Sequence, residues 1–258
     1  MKRLLVFSLI AVAIITTAVI YLKFFNQQAV FKAMGIEVKI FIKDRYARNN
    51  IRAAANRIRE IEKALSKYDK NSEVSRLNRG ETFEMSQDLS RCLSLSEKAK
   101  KATYGTFNVY YNGKVDLDGI GKGFAAEEAR QLLYKRGVKN AMIDMRSSIA
   151  VLGGPWKIGI VNPQKKNEIL EVIELNGPEA LSTSGDYEQG SHIIDPSTGK
   201  PASLVKGVTI VGNDAGFLDA LSTGIFVMGP KAGLELAKEL NLKALIIGAD
   251  GKIYRHNL

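Results

Sequence analysis

The sequence predicts an α+β fold: one domain behind an N-terminal membrane-spanning helix. Three observations carry this. An uncharged apolar run, Leu4 to Leu22, stands between Lys2-Arg3 and Lys23. Short segments such as Ile36, Val38, Ile40 and Ile42 alternate with polar neighbours, the period of a half-buried strand. Other segments, such as Ile51, Ala54, Ile58, Ile61 and Leu65, repeat at helical spacing. Runs of short strands broken by pairs of helices argue for α+β rather than strict βαβ alternation. A chain of 258 residues is long enough to bury a sizeable core.

At about 1.5 Å per residue, the Leu4–Leu22 run comes close to crossing a hydrocarbon core of roughly 30 Å. A cleaved signal has a shorter apolar region and a small-residue cleavage site. Thr16-Thr17-Ala18 is a poor site, because apolar residues continue past it. Residues 1–23 are therefore expected to be an uncleaved anchor, 24–29 a linker and 30–258 the domain. Lys2, Arg3 and the α-amine point to a cytoplasmic N-terminus, a single pass through the cell membrane and a domain on the extracytoplasmic face.

Within the domain, a strand is expected at Ile36–Ile42 and a helix over Ile51–Leu65. Ser86 is a good N-cap for a second helix running to about Lys101. A strand near Val115–Leu117 leads into a glycine cluster, then a helix from about Phe124 to Lys135 closed by Gly137. Short strands follow near 140–145, 148–152, 156–161 and 169–175. Helices near 215–227 and 230–240 precede a last strand at 243–249.

Composition excludes several classes of function. Thirty-seven basic residues against 27 acidic give a net charge of +10. The basic residues are scattered, with no aromatic-interleaved stripe, which argues against nucleic acid. One Cys (Cys92) rules out an intramolecular disulfide, and with only two His it argues against a Cys/His zinc site. A bound metal should be a hard cation held by oxygen.

Four segments carry potential chemistry. Asp116-Leu117-Asp118-Gly119-Ile120-Gly121-Lys122-Gly123 places glycines and a lysine before a helix, where backbone approaches a ligand closely and N–H groups face an anion. The spacing fits neither the dinucleotide-binding nor the P-loop pattern, and alone it reads as a tight turn. Leu181-Ser182-Thr183-Ser184-Gly185-Asp186-Tyr187 offers hydroxyls for phosphate or ribose, or a polar strand end with a turn. His192 precedes the turn Asp195-Pro196-Ser197-Thr198-Gly199 and is a general base or a structural hydrogen-bonder. Asp219 and Thr223 lie one helical turn apart, so an acid and a hydroxyl share a face suited to Mg²⁺.

Taken together and in order, these segments resemble the ApbE family of FAD:protein FMN transferases, from about Met34 to the C-terminus. Met34-Gly35 matches the family's early Met-Gly. Ser66 to Asn78 resembles S-x-Y-x-x-x-S-E-x-S-x-L-N, Asp116 to Gly123 resembles D-L-G-G-I-A-K-G, and Leu181 to Tyr187 resembles A-T-S-G-D-Y. His192 to Gly199 resembles H-I-I-D-P-x-T-G, and Asp219 to Val227 resembles D-A-L-A-T-A-L-F-V.

The resemblance implies a T-fold-related domain with FAD against Met34, Tyr68, Thr106, Phe107, Asn108, Asp116, Lys122 and Ile193. It implies Mg²⁺ on Asp219, Thr223 and a carbonyl of the glycine turn, Gly119 first and Gly121 second. FMN would pass from FAD to a Ser or Thr hydroxyl of an extracytoplasmic flavoprotein, a subunit of an electron-transfer complex, with AMP released and His192 as base. An FAD pyrophosphatase giving FMN and AMP, and a non-catalytic membrane-tethered FAD-binding module, are the alternatives. No copy of the family's acceptor motif is present, which argues against self-modification.

Two departures stand out. Only Val109 to Val115 separate Asn108 from Asp116, where the family has a long segment, so a shortened member with a more open pocket is expected. The family's N-I-G-G-D reads Asp144-Met145-Arg146-Ser147-Ser148, and the lost glycines predict a different turn.

Overall fold

A computed structural model describes residues 26–44, 46–185 and 193–258. Strands β1 (Asn26–Ala33) and β2 (Ile36–Lys43) form a hairpin, followed by helices α1 (Ala47–Leu65), α2 (Glu73–Asn78) and α3 (Gln87–Ala102). A small hairpin, β3 (Tyr110–Tyr111) and β4 (Lys114–Val115), leads to helix α4 (Gly121–Lys135). Then come β5 (Ala141–Asp144), β6 (Ser148–Leu152), β7 (Trp156–Asn162), β8 (Lys165–Leu175) and β9 (Ala180–Gly185). The chain ends with β10 (Val205–Gly212), α5 (Ala215–Met228), α6 (Pro230–Glu239), β11 (Lys243–Gly248) and β12 (Ile253–His256).

Eight strands form one antiparallel sheet in the order β1-β2-β5-β6-β9-β10-β11-β12. Side chains alternate across it, as strand geometry requires. Val38, Ile40, Ile42, Ile143, Val208 and Ile210 face the helices and build the main core with Ile58, Ile61, Leu133, Leu221 and Phe226. Ile149, Val151, Leu181 and Val211 belong to a second, smaller core with Trp156, Ile160, Ile173 and Leu175 of the β7–β8 hairpin. The predicted α+β class holds, and the helices and this hairpin account for both sheet faces.

Local chemistry explains the elements. Ser86 caps α3, its hydroxyl accepting the Leu89 N–H at 3.2 Å. Gly137 closes the end of α4 at φ +79°. Tyr110 to Val115 is a two-residue hairpin whose turn, Asn112-Gly113, has φ of +49° and +73°, the conformation Asn-Gly favours. Asn78 pins it, donating to the Val115 carbonyl at 2.9 Å and accepting its N–H at 2.7 Å. Cys92 is fully buried in α3, and burial pushes its thiol up to about 12.

Several expectations change. Residues 26–29, expected in the linker, pair with β2 as the first half of β1. The strand near Val115–Leu117 is only the second arm of the hairpin. Helix α4 starts at Gly121, not Phe124. The strand at 243–249 is not the last, because β12 pairs with it. The Asp144–Ser148 turn keeps a left-handed residue: Arg146 has φ +63°, and its N–H donates to Asp144 Oδ1 at 2.8 Å. That side-chain turn does locally what a glycine would do by conformational freedom. The Leu4–Leu22 run lies outside the described residues. Among the described residues no helix is long and apolar enough to cross a membrane.

Ser86→Ala should cost about 1 kcal/mol through loss of the cap, lowering the thermal midpoint by about 2–4 °C for a domain of this size. Thermal denaturation followed by circular dichroism measures it; an unchanged midpoint would deny the cap any weight.

Candidate active site

The site begins with a close approach of two helices. A Cβ on Gly123 would lie 2.1 Å from the Ala215 carbonyl oxygen and 2.5 Å from Asp219 Cβ, so only glycine fits where α4 meets α5. The contact exchanges hydrogen bonds in both directions. Asp219 of α5 accepts the Gly123 N–H of α4 at 2.8 Å, and Glu127 of α4 accepts the Ala215 N–H of α5 at 3.1 Å. Each carboxylate thus satisfies an N–H in the first turn of the other helix, where the helix dipole favours negative charge. Arg130 balances Glu127 at 2.8 and 2.7 Å. Asp219 has no ion-pair partner among the described residues, although it is only 3% exposed.

Beneath Asp219 runs a polar stripe on β9. Strand alternation turns Ser182 and Ser184 toward α5, while Thr183 on the other face bonds Thr209 at 3.0 Å. Ser182 Oγ donates to Asp219 Oδ1 at 3.2 Å and shares a hydrogen bond with Ser148 Oγ at 3.1 Å. Ser184 Oγ shares hydrogen bonds with Ser222 Oγ at 2.8 Å and Thr223 Oγ1 at 3.2 Å. Ser222 and Thr223 both donate to the Asp219 carbonyl, at 3.0 and 3.2 Å.

Above Asp219 lies the glycine turn. A Cβ on Gly119 would sit 3.4 Å from Thr223 Oγ1 and 3.3 Å from Phe107 Cε2, and one on Gly121 would sit 3.2 Å from Met34 Cε. Asp219 and Thr223 therefore both meet the segment from Gly119 to Gly123. Gly121 is the first residue of α4, so its carbonyl belongs to the helix ladder, which favours Gly119 as the available carbonyl.

The donor set fits a hard divalent cation. A buried carboxylate without a cationic neighbour is costly unless something compensates it, and the surrounding groups are oxygens. Among the described residues no group of three or more His, Cys, Asp or Glu could hold a metal. The cation would rest on one acid, a hydroxyl and a carbonyl.

The other expected site residues divide. Met34 occupies a left-handed turn at φ +52°, unusual for a bulky side chain, held by its N–H to Glu62 Oε1 at 2.6 Å. Thr106 Oγ1 donates to the Gly224 carbonyl of α5 at 3.0 Å, which seats Phe107 beside Gly119. Asn108 Oδ1 accepts the Tyr110 N–H, starting the small hairpin. Ile193 is buried in the main core. Lys122 Nζ reaches the Asp118 carbonyl at 3.4 Å. Tyr68 is 81% exposed and donates its hydroxyl to Asp118 Oδ2 at 3.2 Å. Asp116 is already paired, with Lys67 Nζ at 2.6 Å. The helix N-terminus is also less open to an anion than the sequence implied, because Asp219 takes the Gly123 N–H. His192 lies outside the described residues.

Sequence reading missed Lys67, Glu127, Ser148 and Ser222. Ser222, one residue before Thr223 on the same helix, and Lys67, one residue before Tyr68, carried a positional signal.

Comparison with known proteins agrees with this architecture. The profile of the ApbE family matches residues 34–113 and 111–246. A Vibrio cholerae protein named FAD:protein FMN transferase is 35% identical over 147 residues, 52% of this chain and 44% of that protein. An Escherichia coli K12 protein of the same name is 31% identical over 157 residues, 55% of this chain and 44% of that protein. The chain thus spans somewhat under half the length of the curated relatives it matches. The crystal structure of an ApbE protein from Thermotoga maritima superposes with a TM-score of 0.80 at 25% identity, covering 90% of this chain and 97% of that one. The flavin transferase ApbE from Vibrio cholerae gives 0.79 at 24% identity, covering 90% and 98%, a likeness of fold.

Gly123→Ala should destabilise the protein by about 3 kcal/mol, the upper end for overpacking, because the new methyl meets backbone rather than a movable side chain. Urea denaturation reads this out; a wild-type midpoint would mean the helices have room to part.

Proposed function

The chain belongs to the ApbE family, and we propose that it transfers FMN from FAD to a Ser or Thr hydroxyl of an extracytoplasmic flavoprotein, releasing AMP. The observation that carries this reading is the meeting of Asp219 and Thr223 with the Gly119–Gly123 turn: a buried carboxylate without a cationic partner among the described residues, beside a hydroxyl and a close-approach backbone. The relatives named FAD:protein FMN transferase support the choice of substrate.

In this reading Asp219, Thr223 and the Gly119 carbonyl would hold Mg²⁺, which when bound would supply positive charge beside the pyrophosphate. Asp219 is kept in place from two sides, by Ser182 and by the Gly123 N–H. Lys122 supplies a point charge to the phosphates. Met34, Tyr68 and the Thr106–Asn108 segment line the flavin side of the turn, and the short Tyr110–Val115 hairpin leaves that side open to a protein acceptor. The acceptor hydroxyl oxygen bonds to the FMN-side phosphorus, the bridging P–O bond breaks, and AMP leaves with the bridging oxygen. His192 accepts the hydroxyl proton, since an alcohol is a weak nucleophile without a base. The Leu4–Leu22 run tethers the domain to the membrane on its outer side.

The test incubates the full chain, in detergent, with FAD, Mg²⁺ and candidate acceptor flavoproteins, following AMP and acceptor mass. An FMN adduct with stoichiometric AMP is the expected result. Free FMN and AMP without acceptor would make the protein a pyrophosphatase; tight FAD binding with no AMP under any condition would make it a binding module.

Asp219→Asn should lower AMP release at least about 100-fold, the rate equivalent of ~3 kcal/mol, and should abolish the response to added Mg²⁺. A variant with the wild-type Mg²⁺ response would remove Asp219 from the site. His192→Ala should slow transfer while leaving FAD affinity within about threefold, as expected for a proton acceptor; lost FAD binding, measured by flavin fluorescence, would make it structural instead.

A further inference from the structure

The geometry points to Lys67 as a positioning residue of the glycine turn: its ammonium bridges Asp116 and Asp118 and, together with Lys122, offsets their two charges, so that the turn presents no net negative charge to an anionic dinucleotide. This rests on the reading of the site given above. Lys67 Nζ lies 2.6 Å from Asp116 Oδ2 and 2.8 Å from Asp118 Oδ2. The two acids are joined to each other as well, with the Asp118 N–H donating to Asp116 Oδ1 at 3.0 Å. Gly119, the candidate carbonyl and the neighbour of Thr223, follows Asp118 directly.

Charge and access both matter here. The side chains of Asp116 and Asp118 are 45% and 55% exposed, and that of Lys67 is 29%. The acids are therefore more open than the lysine to the solvent a ligand would displace. Burial alone would lower the Lys67 pKa, but the hydrogen bonds and charges of Asp116 and Asp118 raise it above the ordinary lysine range. Lys122, at the Asp118 carbonyl, is the second cation of the turn. Lys67 and Lys122 together cancel Asp116 and Asp118; without Lys67 the turn carries one uncompensated negative charge beside a pyrophosphate. Tyr68, the next residue, ties the same segment to Asp118 through its hydroxyl, so the 66–68 stretch fixes the turn in both charge and position.

A bond that merely stapled two loops would give a different pattern of variants. Flavin fluorescence measures FAD affinity of the full chain and of Lys67→Met, Lys67→Arg and Lys67→Met/Asp118→Asn. Lys67→Met should weaken FAD binding about tenfold. The gap should narrow on moving from about 0.05 M to about 0.5 M salt, because repulsion is screened. Lys67→Arg should stay within about threefold of wild type, and Asp118→Asn in the Lys67→Met background should recover most of the loss, since the surplus charge is gone. Wild-type affinity in Lys67→Met overturns the inference. So does a loss that neither salt nor Asp118→Asn relieves, which would mark Lys67 as a structural staple. If wild type itself fails to bind FAD, the functional reading falls and takes this inference with it; wild-type binding beside an unaffected Lys67→Met removes this inference alone.

Discussion

The rest of the structure depends on the zero-clearance crossing of α4 and α5 at Gly123. With no side chain at that point, the first turn of α4 lies directly on Asp219, and each helix supplies a carboxylate to the other's N-terminal N–H groups. This places the glycine turn above α5 with an accuracy that loop geometry alone does not give. It also explains how a carboxylate can be buried without an ion pair: one oxygen accepts a backbone N–H at a positive helix end, the other a serine hydroxyl. The remaining valence of that carboxylate is what a divalent cation would use.

The large sheet contributes in a different way. Its strand β9 presents Ser182 and Ser184, joined by Ser148 of β6, to the helix layer where β2 and β5 present Val, Ile or Ala. A polar stripe inside an apolar layer is costly unless each hydroxyl is paired, and here each is, through Ser148, Ser222, Thr223 or Asp219. The hydroxyls form a fixed polar floor, and the acid and hydroxyl of the site, Asp219 and Thr223, stand on a helix packed against a strand rather than on a loop.

How much of this was legible in the sequence follows from what patterns can carry. The amphipathic helix α1, the capped helix α3, strand β2 and strands β5 to β8 show enough pattern to be read, with errors mainly at their ends, whereas the two-residue strands β3 and β4 do not. Helix α4 was read three residues short, because Gly121 and Gly123 argue against helix locally while tertiary contact with α5 imposes it. Strand β10 is buried on both faces over most of its length and lacks a clean alternation, and α2 is too short to show a period. In the site, Asp219 and Thr223 were visible as a one-turn pair. Lys67 stands one residue before Tyr68, but a lysine in a polar stretch shows no role until folding brings two acids to it. Glu127 carries no signal of its own within the predicted helix, yet it is nearly buried and accepts the first N–H of α5.

The chemistry of Cys92 has a practical consequence. The chain's one sulfhydryl is sealed inside α3 and its acidity is suppressed by burial, so thiolate-directed reagents find almost nothing to attack in the folded protein. A cysteine introduced at exposed Tyr111, on the short hairpin, would then be the sole labelling position. A fluorophore there would report on approach of the proposed acceptor without first stripping the native thiol.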